Sequence, residues 1–199
     1  SDHGEEFFDH HSWAHGHQLY DEALKVPLII KFPGSRFRGQ RFGSHVRLVD
    51  IMPTILEEFD APSAGLTTDG KSLFPVLRGK EREDRAFLAD IGDNILNSHV
   101  GRKIALSSGK NKMILNKAFS PEDLRFFTSP PRLVPPIELY DVAEDPQEKQ
   151  NLAKGKPTVA RELNNRIVEI YKQASRRKSV KAQVDENLKE QLRALGYIR

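Results

Sequence analysis

Seven consecutive residues, Val26-Pro27-Leu28-Ile29-Ile30-Lys31-Phe32, constrain the fold more than any others in this chain. The run is apolar without alternation, so it lacks the polar face of a half-exposed strand. It reads as a buried strand of a parallel sheet covered on both faces, ended by Pro33-Gly34. A covered parallel strand needs helices packed on it, which places the chain in the α/β class. The best helix runs over 157–178. Val159, Leu163, Ile167, Ile170 and Ala174 form one stripe, Pro157 suits the first turn, and Arg176-Arg177-Lys178 suits the last. A second spans 44–59, and Pro53 puts its true start near Asp50, an acceptable N-cap. A short third helix carries Val184, Leu188, Leu192 and Leu195 and stops at Gly196.

The middle of the chain has a different texture. Strands are predicted at 85–90, 103–107, 112–116 and 137–142, with Ser108-Gly109-Lys110-Asn111 as a hairpin turn and a turn after Asp145-Pro146. Residues 119–136 are rich in Pro and aperiodic, so they read as a loop. Three parts follow: an α/β portion over 1–83, a small antiparallel-sheet subdomain over 84–153 and a helical tail over 154–199.

Composition narrows the function classes. The 199 residues are 38% hydrophobic and 30% charged, as in a soluble globular chain. No run approaches the roughly 18 apolar residues of a membrane helix. Cys is absent, which excludes disulfides, Cys-ligated zinc, iron–sulfur clusters and a Cys nucleophile within this sequence. The net charge of +3 hides an asymmetry: residues 151–199 carry twelve Lys/Arg against five Asp/Glu. No nucleic-acid-binding signature accompanies this basic tail, so it reads as a solvated helix face and no nucleic-acid partner is expected.

The chemistry is concentrated at the start. Five of the seven His fall within the first seventeen residues: His3, His10, His11, His15 and His17. Asp2-His3-Gly4 offers a hard oxygen and an imidazole nitrogen, and Gly permits a sharp turn into a loop, a suitable combination for a metal corner at a strand end. Twelve residues on, Ala14-His15-Gly16-His17 leads into the apolar run, a place for anion-binding or proton-transferring groups.

The segments SDHGEE, HGHQLYDE, KVPLIIKFPG, VRLVDIMPTILEEF, GKSLFPVLRG and IELYDVAEDPQEKQNLA, in this order and spacing, resemble the sulfatase family within the alkaline phosphatase superfamily. The likeness runs from residue 1 to about 153, and LKEQLRALGYI is similar to tails of some bacterial members. The resemblance implies the C-terminal part of a sulfatase-like α/β fold: remnant parallel core strands, a small antiparallel sheet and C-terminal helices. It implies a divalent cation, Ca²⁺ in sulfatases and Mn²⁺ or Zn²⁺ in phosphohydrolase relatives, with Asp2 and His3 as metal ligands. A basic residue of the second segment, often Lys, touches the transferring sulfate in the family. Here Gly16 stands near that place, so His15 and His17 are the catalytic candidates and the choice between them is open.

The family nucleophile is a formylglycine made in a C/S-x-P-x-R motif well N-terminal to SDHG, in a half that this sequence does not contain. Thr128-Ser129-Pro130-Pro131-Arg132 fits T-x-P-x-R, a pattern used by some phosphodiesterase relatives, but it follows the metal segment in a Pro-rich loop and is read as a loop. Two ligands fall short of the roughly 6–8 oxygens that Ca²⁺ takes. The resemblance therefore implies a fragment that is inactive alone, whose parent hydrolyses sulfate esters of a small molecule or glycan in the periplasm or outside the cell. An exposed sheet edge invites self-association. Two alternatives stand beside this reading: a fragment of a phosphate or phosphonate monoester hydrolase of the same superfamily, and a non-catalytic binding domain with a basic tail.

Overall fold

A computed structural model describes residues 1–61, 68–82, 84–92, 102–116, 134–175 and 186–194. The chain divides into two units, Ser1–Asn164 and Asn165–Arg199. The first opens with a two-stranded antiparallel ribbon, β1 (Glu6–Phe7) and β2 (Trp13–Ala14). One helical turn follows, α1 (Asp21–Leu24), then α2 (Ile51–Glu58) and the short α3 (Phe74–Leu77). Strands β3 (Phe87–Ile91), β4 (Lys103–Ser108), β5 (Asn111–Asn116) and β6 (Ile137–Asp141) form an antiparallel meander in chain order. Helix α4 (Pro157–Ser175) begins in this unit, and α5 (Glu186–Ala194) belongs to the second. No helix among the described residues is long and apolar enough to cross a membrane.

The chain is a mixed α/β protein, and its meander is the small antiparallel sheet expected from the sequence. The β4–β5 turn has a two-residue loop with Ser108 opposite Asn111. Gly109 takes φ +57° there, a conformation that tight hairpin loops demand and Gly adopts without a Cβ clash. Register sets Ala105 opposite Ile114 and Met113 opposite Leu139. Consecutive residues are buried along β5 and β6, so both faces of the sheet are covered. On one face Ala105, Ile114 and Tyr140 pack with Leu19 and Tyr20. This contact seats the N-terminal segment on the sheet.

The run at 26–32 departs from expectation. It carries no strand assignment, and Ile29 is 92% exposed, with Leu28 and Ile30 partly so. Only Phe32 is buried. A strand exists through the ladder it shares with a neighbour, and among the described residues none pairs with this run. The described sheets are both antiparallel, so the remnant parallel strand of the sequence reading has no counterpart in them.

Helix α2 starts after Asp50, as Pro53 suggested, but the Asp50 carboxylate does not cap it. It turns inward instead, fully buried. It receives Arg47 Nη2 at 2.7 Å, Arg85 Nη1 at 3.0 Å and the Lys71 backbone N–H at 2.9 Å. Burial alone would raise its pKa. The Arg47 hydrogen bond, the Lys71 and Arg47 amides and Arg85 outweigh this and hold the carboxyl below the usual carboxylate range. Arg85, read as the first residue of a strand, is drawn into this cluster and onto Glu81, so β3 begins two residues later. Helix α4 buries Ala160, Leu163 and Ile167, one residue off the expected stripe at its start, while Ala174 is exposed. Arg176-Arg177-Lys178, Gly196 and most of the loop over 119–136 lie outside the described residues.

Candidate functional site

The His-rich segment folds around one carboxylate. Glu6 on β1 is fully buried, and its Oε1 accepts the backbone N–H groups of His10 at 2.8 Å and Ser12 at 2.9 Å. These bonds close the connection between β1 and β2, where Phe8 and His11 adopt positive φ. A buried carboxylate that takes two amides substitutes for the partners that so short a ribbon cannot supply. The outer side of the ribbon shows Phe7, Phe8 and Trp13 to solvent.

Asp2 and His3 precede the ribbon and are exposed. The His3 Nδ1–H donates to the Gly4 carbonyl at 2.8 Å, which makes Nε2 the nitrogen that a metal would take. Its own backbone N–H, then the His3 ring, hold the Asp2 carboxyl below its ordinary pKa. Asp2 thus offers a carboxylate and His3 an imidazole oriented by a carbonyl, the two donor types of a cation corner. Among the described residues no group of three or more His, Cys, Asp or Glu could hold a metal ion. Asp2 and His3 fit as one side of a coordination shell and do not make one alone.

Gly4 serves a different purpose from the sharp turn expected of it. Its φ is not left-handed. The chain instead passes flush against α1, with Gly4 N–H donating to the Ala23 carbonyl at 2.8 Å. A Cβ at this position would stand 2.0 Å from the Glu22 carbonyl oxygen. Close approach of two backbones is what demands Gly here.

His15 and His17 lie at and beyond the end of β2 and face different ways. The His15 ring is about half exposed and stacks on His3, with centroids 3.9 Å apart and 28° between planes. Its Nδ1 lies 3.1 Å from Glu5 Oε2. The His17 ring turns inward. Its Nδ1–H donates to the His15 carbonyl at 3.1 Å, and its Nε2 meets Ser12 Oγ at 2.8 Å. The structure therefore brings His3, next to Asp2 in the chain, against His15 on the exposed surface, and leaves His17 the less exposed of the two later imidazoles. Sequence reasoning missed Glu5, Glu6 and Ser12. The only signal was the Glu-Glu step, since the two faces of so short a ribbon show no hydrophobic alternation.

A fourth imidazole is structural. His10 is buried and stacked on Tyr20 with centroids 3.6 Å apart. Its Nδ1 lies 2.5 Å from Glu22 Oε1 and its Nε2 3.2 Å from the Glu148 carbonyl, so both ring nitrogens donate and the ring is a cation. Burial pushes its pKa down. The Glu22 hydrogen bond, the Glu148 carbonyl and the Glu22 charge push harder in the other direction, against the Lys149 charge, and the net shift is upward. A raised folded-state value means that this clamp stabilises fully below about pH 6.5, the unfolded His value, and fades as pH climbs through the folded one. Urea unfolding from pH 5.5 to 8.5 is expected to show that decline in the wild-type chain and a flatter profile in His10→Gln.

The segment Asp145-Pro146-Gln147-Glu148-Lys149-Gln150-Asn151 is a clasp. Asp145 accepts the backbone N–H groups of Lys149 and Gln150. Asn151 Oδ1 accepts from Leu139 N–H, and its Nδ2 donates to the Ile137 carbonyl, which covers the free edge of β6. Glu148, buried at positive φ, accepts the Asp21 N–H at 2.6 Å. Lys112 Nζ from the sheet lies 2.7 Å from Asp21 Oδ1 and 2.8 Å from Glu148 Oε1. Tyr20 donates to Glu138 Oε2 at 2.7 Å, and Asn116 to Oε1 at 2.6 Å. These polar contacts share the face of the meander that carries Ile114 and Tyr140, and with them they fix the segment that carries His3 and His15. The Thr128–Arg132 pattern lies outside the described residues.

Comparison with known proteins adds the family context. Residues 9–120 match the model of the family described as N-sulphoglucosamine sulphohydrolase, C-terminal. The chain is 32% identical over 167 residues to the multifunctional alkaline phosphatase superfamily protein PehA of Trinickia caryophylli, across 80% of this chain and 30% of that one. It is 30% identical over 172 residues to arylsulfatase K of Rattus norvegicus, across 84% of this chain and 28% of that one. A protein solved in complex with its substrate, D-glucosamine-2-N,6-O-disulfate, shares the fold with a TM-score of 0.58 at 22% identity, across 87% of this chain and 33% of its own. The chain spans about a third or less of the length of each.

Proposed function

The chain belongs to the N-sulphoglucosamine sulphohydrolase C-terminal family, a C-terminal sulfatase region of the alkaline phosphatase superfamily, and we propose that it forms one side of the active site of a larger sulfuric ester hydrolase. The observation that carries this reading is the stacked contact between His3 and His15. It unites the metal-type Asp2-His3 step with the second His segment on one exposed surface.

In the proposed site Asp2 and His3 hold a divalent cation, Ca²⁺ by family resemblance. When bound, it supplies positive charge that draws electron density from the ester oxygens. His15 is the group of this chain that meets the ester. Glu5 holds its Nδ1–H, so Nε2 is the nitrogen that faces substrate. As an imidazolium it offsets negative charge on the transferring sulfuryl group and gives a proton to the leaving alkoxide. The nucleophile, a formylglycine by resemblance, comes from residues that this sequence does not contain, so the 199-residue chain alone turns nothing over. A sulfated sugar is the substrate class placed first, as in the structural neighbour solved with one. Export to the periplasm or beyond, and self-association through an exposed sheet edge, complete the proposal.

The test is turnover by the enzyme that carries this chain, on a sulfate ester and on the matching phosphate ester. His15→Ala is expected to cut sulfate-ester kcat about 10²–10⁴-fold, the size typical of a proton donor or charge-stabilising group. Full turnover by this variant defeats the assignment of His15. Preference for the phosphate ester favours the second reading, which the likeness to PehA supports. No turnover of either ester, with salt-sensitive heparin binding, favours a binding domain.

A further inference from the structure

We propose that His17 is a positioning residue: clamped between Ser12 and the His15 carbonyl above the buried Glu6 carboxylate, it fixes the turn that presents His15. The inference rests on the reading that His15 meets the ester, and it separates the roles of two imidazoles that are alike in sequence. Three observations carry it. First, the His17 side chain is 25% exposed against 49% for His15. Second, both of its ring nitrogens have protein partners. The contact with the His15 carbonyl requires a proton on Nδ1, which leaves Nε2 to meet the Ser12 hydroxyl at 2.8 Å. A ring so held must break one of these bonds before it can exchange a proton with a substrate. Third, Glu6 is fully buried, and its Oε2 has no hydrogen-bond partner, although Oε1 takes two amides. That oxygen lies 3.6 Å from His17 Nε2. At that distance the imidazole edge packs over the carboxylate without a hydrogen bond to it.

The arrangement forms a chain of restraint. Glu6 fixes the amides of His10 and Ser12. Ser12 fixes the edge of His17, which packs over the Glu6 carboxylate, and His17 Nδ1 fixes the carbonyl of His15. Gly16 lies between the two His at φ +81°, a conformation that favours Gly, so the turn folds back upon its own preceding carbonyl. Loss of the Nδ1 donor frees that carbonyl. The His15 ring then loses its fixed stack on His3, and displacement of a reacting group by about 1 Å costs on the order of 10²-fold in rate.

The test uses chemical and steric contrasts. Asn reproduces the Nδ1–H donor of His but cannot act as an acid or base at neutral pH. In the enzyme that carries this chain, His17→Ala is expected to lower kcat about 10²-fold with a much smaller change in KM, and His17→Asn to recover to within about tenfold of wild type. His15→Asn is expected to show no such recovery. Equal loss in both His17 variants makes His17 a catalytic acid or base and overturns the proposal. A second readout needs no turnover. In the 199-residue chain, brief treatment with diethyl pyrocarbonate followed by peptide mass spectrometry is expected to acylate His15 at least about tenfold faster than His17, since acylation needs a free, exposed nitrogen. Equal rates show that the clamp is absent and also overturn the proposal. If the wild-type enzyme hydrolyses no ester, the reading of the site fails, and the acylation contrast still decides whether His17 is held.

Discussion

Lys112→Met is expected to destabilise the Ser1–Asn164 unit by about 3–5 kcal/mol, the cost of removing one partner of a buried ion pair. The lysine sits at the start of β5, next to the hairpin turn, with its ammonium almost wholly inaccessible between Asp21 and Glu148. Met matches the stem in volume and leaves the Glu148 carboxylate buried with only the Asp21 amide for company. Native domains hold about 5–15 kcal/mol in total, so a loss of this size consumes much of the margin. The measurement is urea unfolding by circular dichroism, with Lys112→Met/Glu148→Gln as the companion variant. The pair of changes is expected to recover part of the loss, because a neutral amide costs less to bury than an unpaired carboxylate. An unchanged midpoint in Lys112→Met refutes the ion-pair account. A double variant no better than the single one locates the cost in packing.

Under the proposed assignment, Asp2→Ala is expected to abolish divalent-cation binding by the enzyme that carries this chain, and to lower turnover by about 10³-fold or more. The argument is one of charge. Asp2 is the carboxylate of the proposed pair, and its own amide and the neighbouring His3 hold its pKa below the ordinary value. A cation at a transferring group is worth several kcal/mol, and each 1.4 kcal/mol is about tenfold in rate. Elemental analysis of the dialysed protein checks the metal and ester hydrolysis checks the rate. Metal and rate both retained would end the assignment of Asp2. Metal lost with the rate intact would mean that the cation is structural.

The sequence made the meander legible because its cues are local. Gly109 at a hairpin tip, apolar runs of strand length on either side, and Asp145-Pro146 after the last strand act over a few residues. Helix α4 was legible for the same reason. The error at residues 26–32 has a definite cause: apolar continuity reports that a segment wants cover, but a strand needs a partner, and partnership is a property of the fold. The error at Asp50 is similar. A carboxylate before a Pro-bearing helix suits a cap, yet two arginines and the Lys71 amide offered it better partners.

By itself the sequence determined the kinds of chemistry at the site: a hard oxygen and an imidazole in Asp2-His3, and two further imidazoles at positions 15 and 17, brought within one turn by Gly16. Tertiary structure alone decided which of those imidazoles faces outward. Spacing along a chain sets which groups are near. Which side of a two-residue ribbon is inside depends on the single carboxylate, Glu6, that its fold chooses to bury, and on a sheet nearly a hundred residues away whose Lys112, Glu138 and Tyr140 anchor the segment that follows.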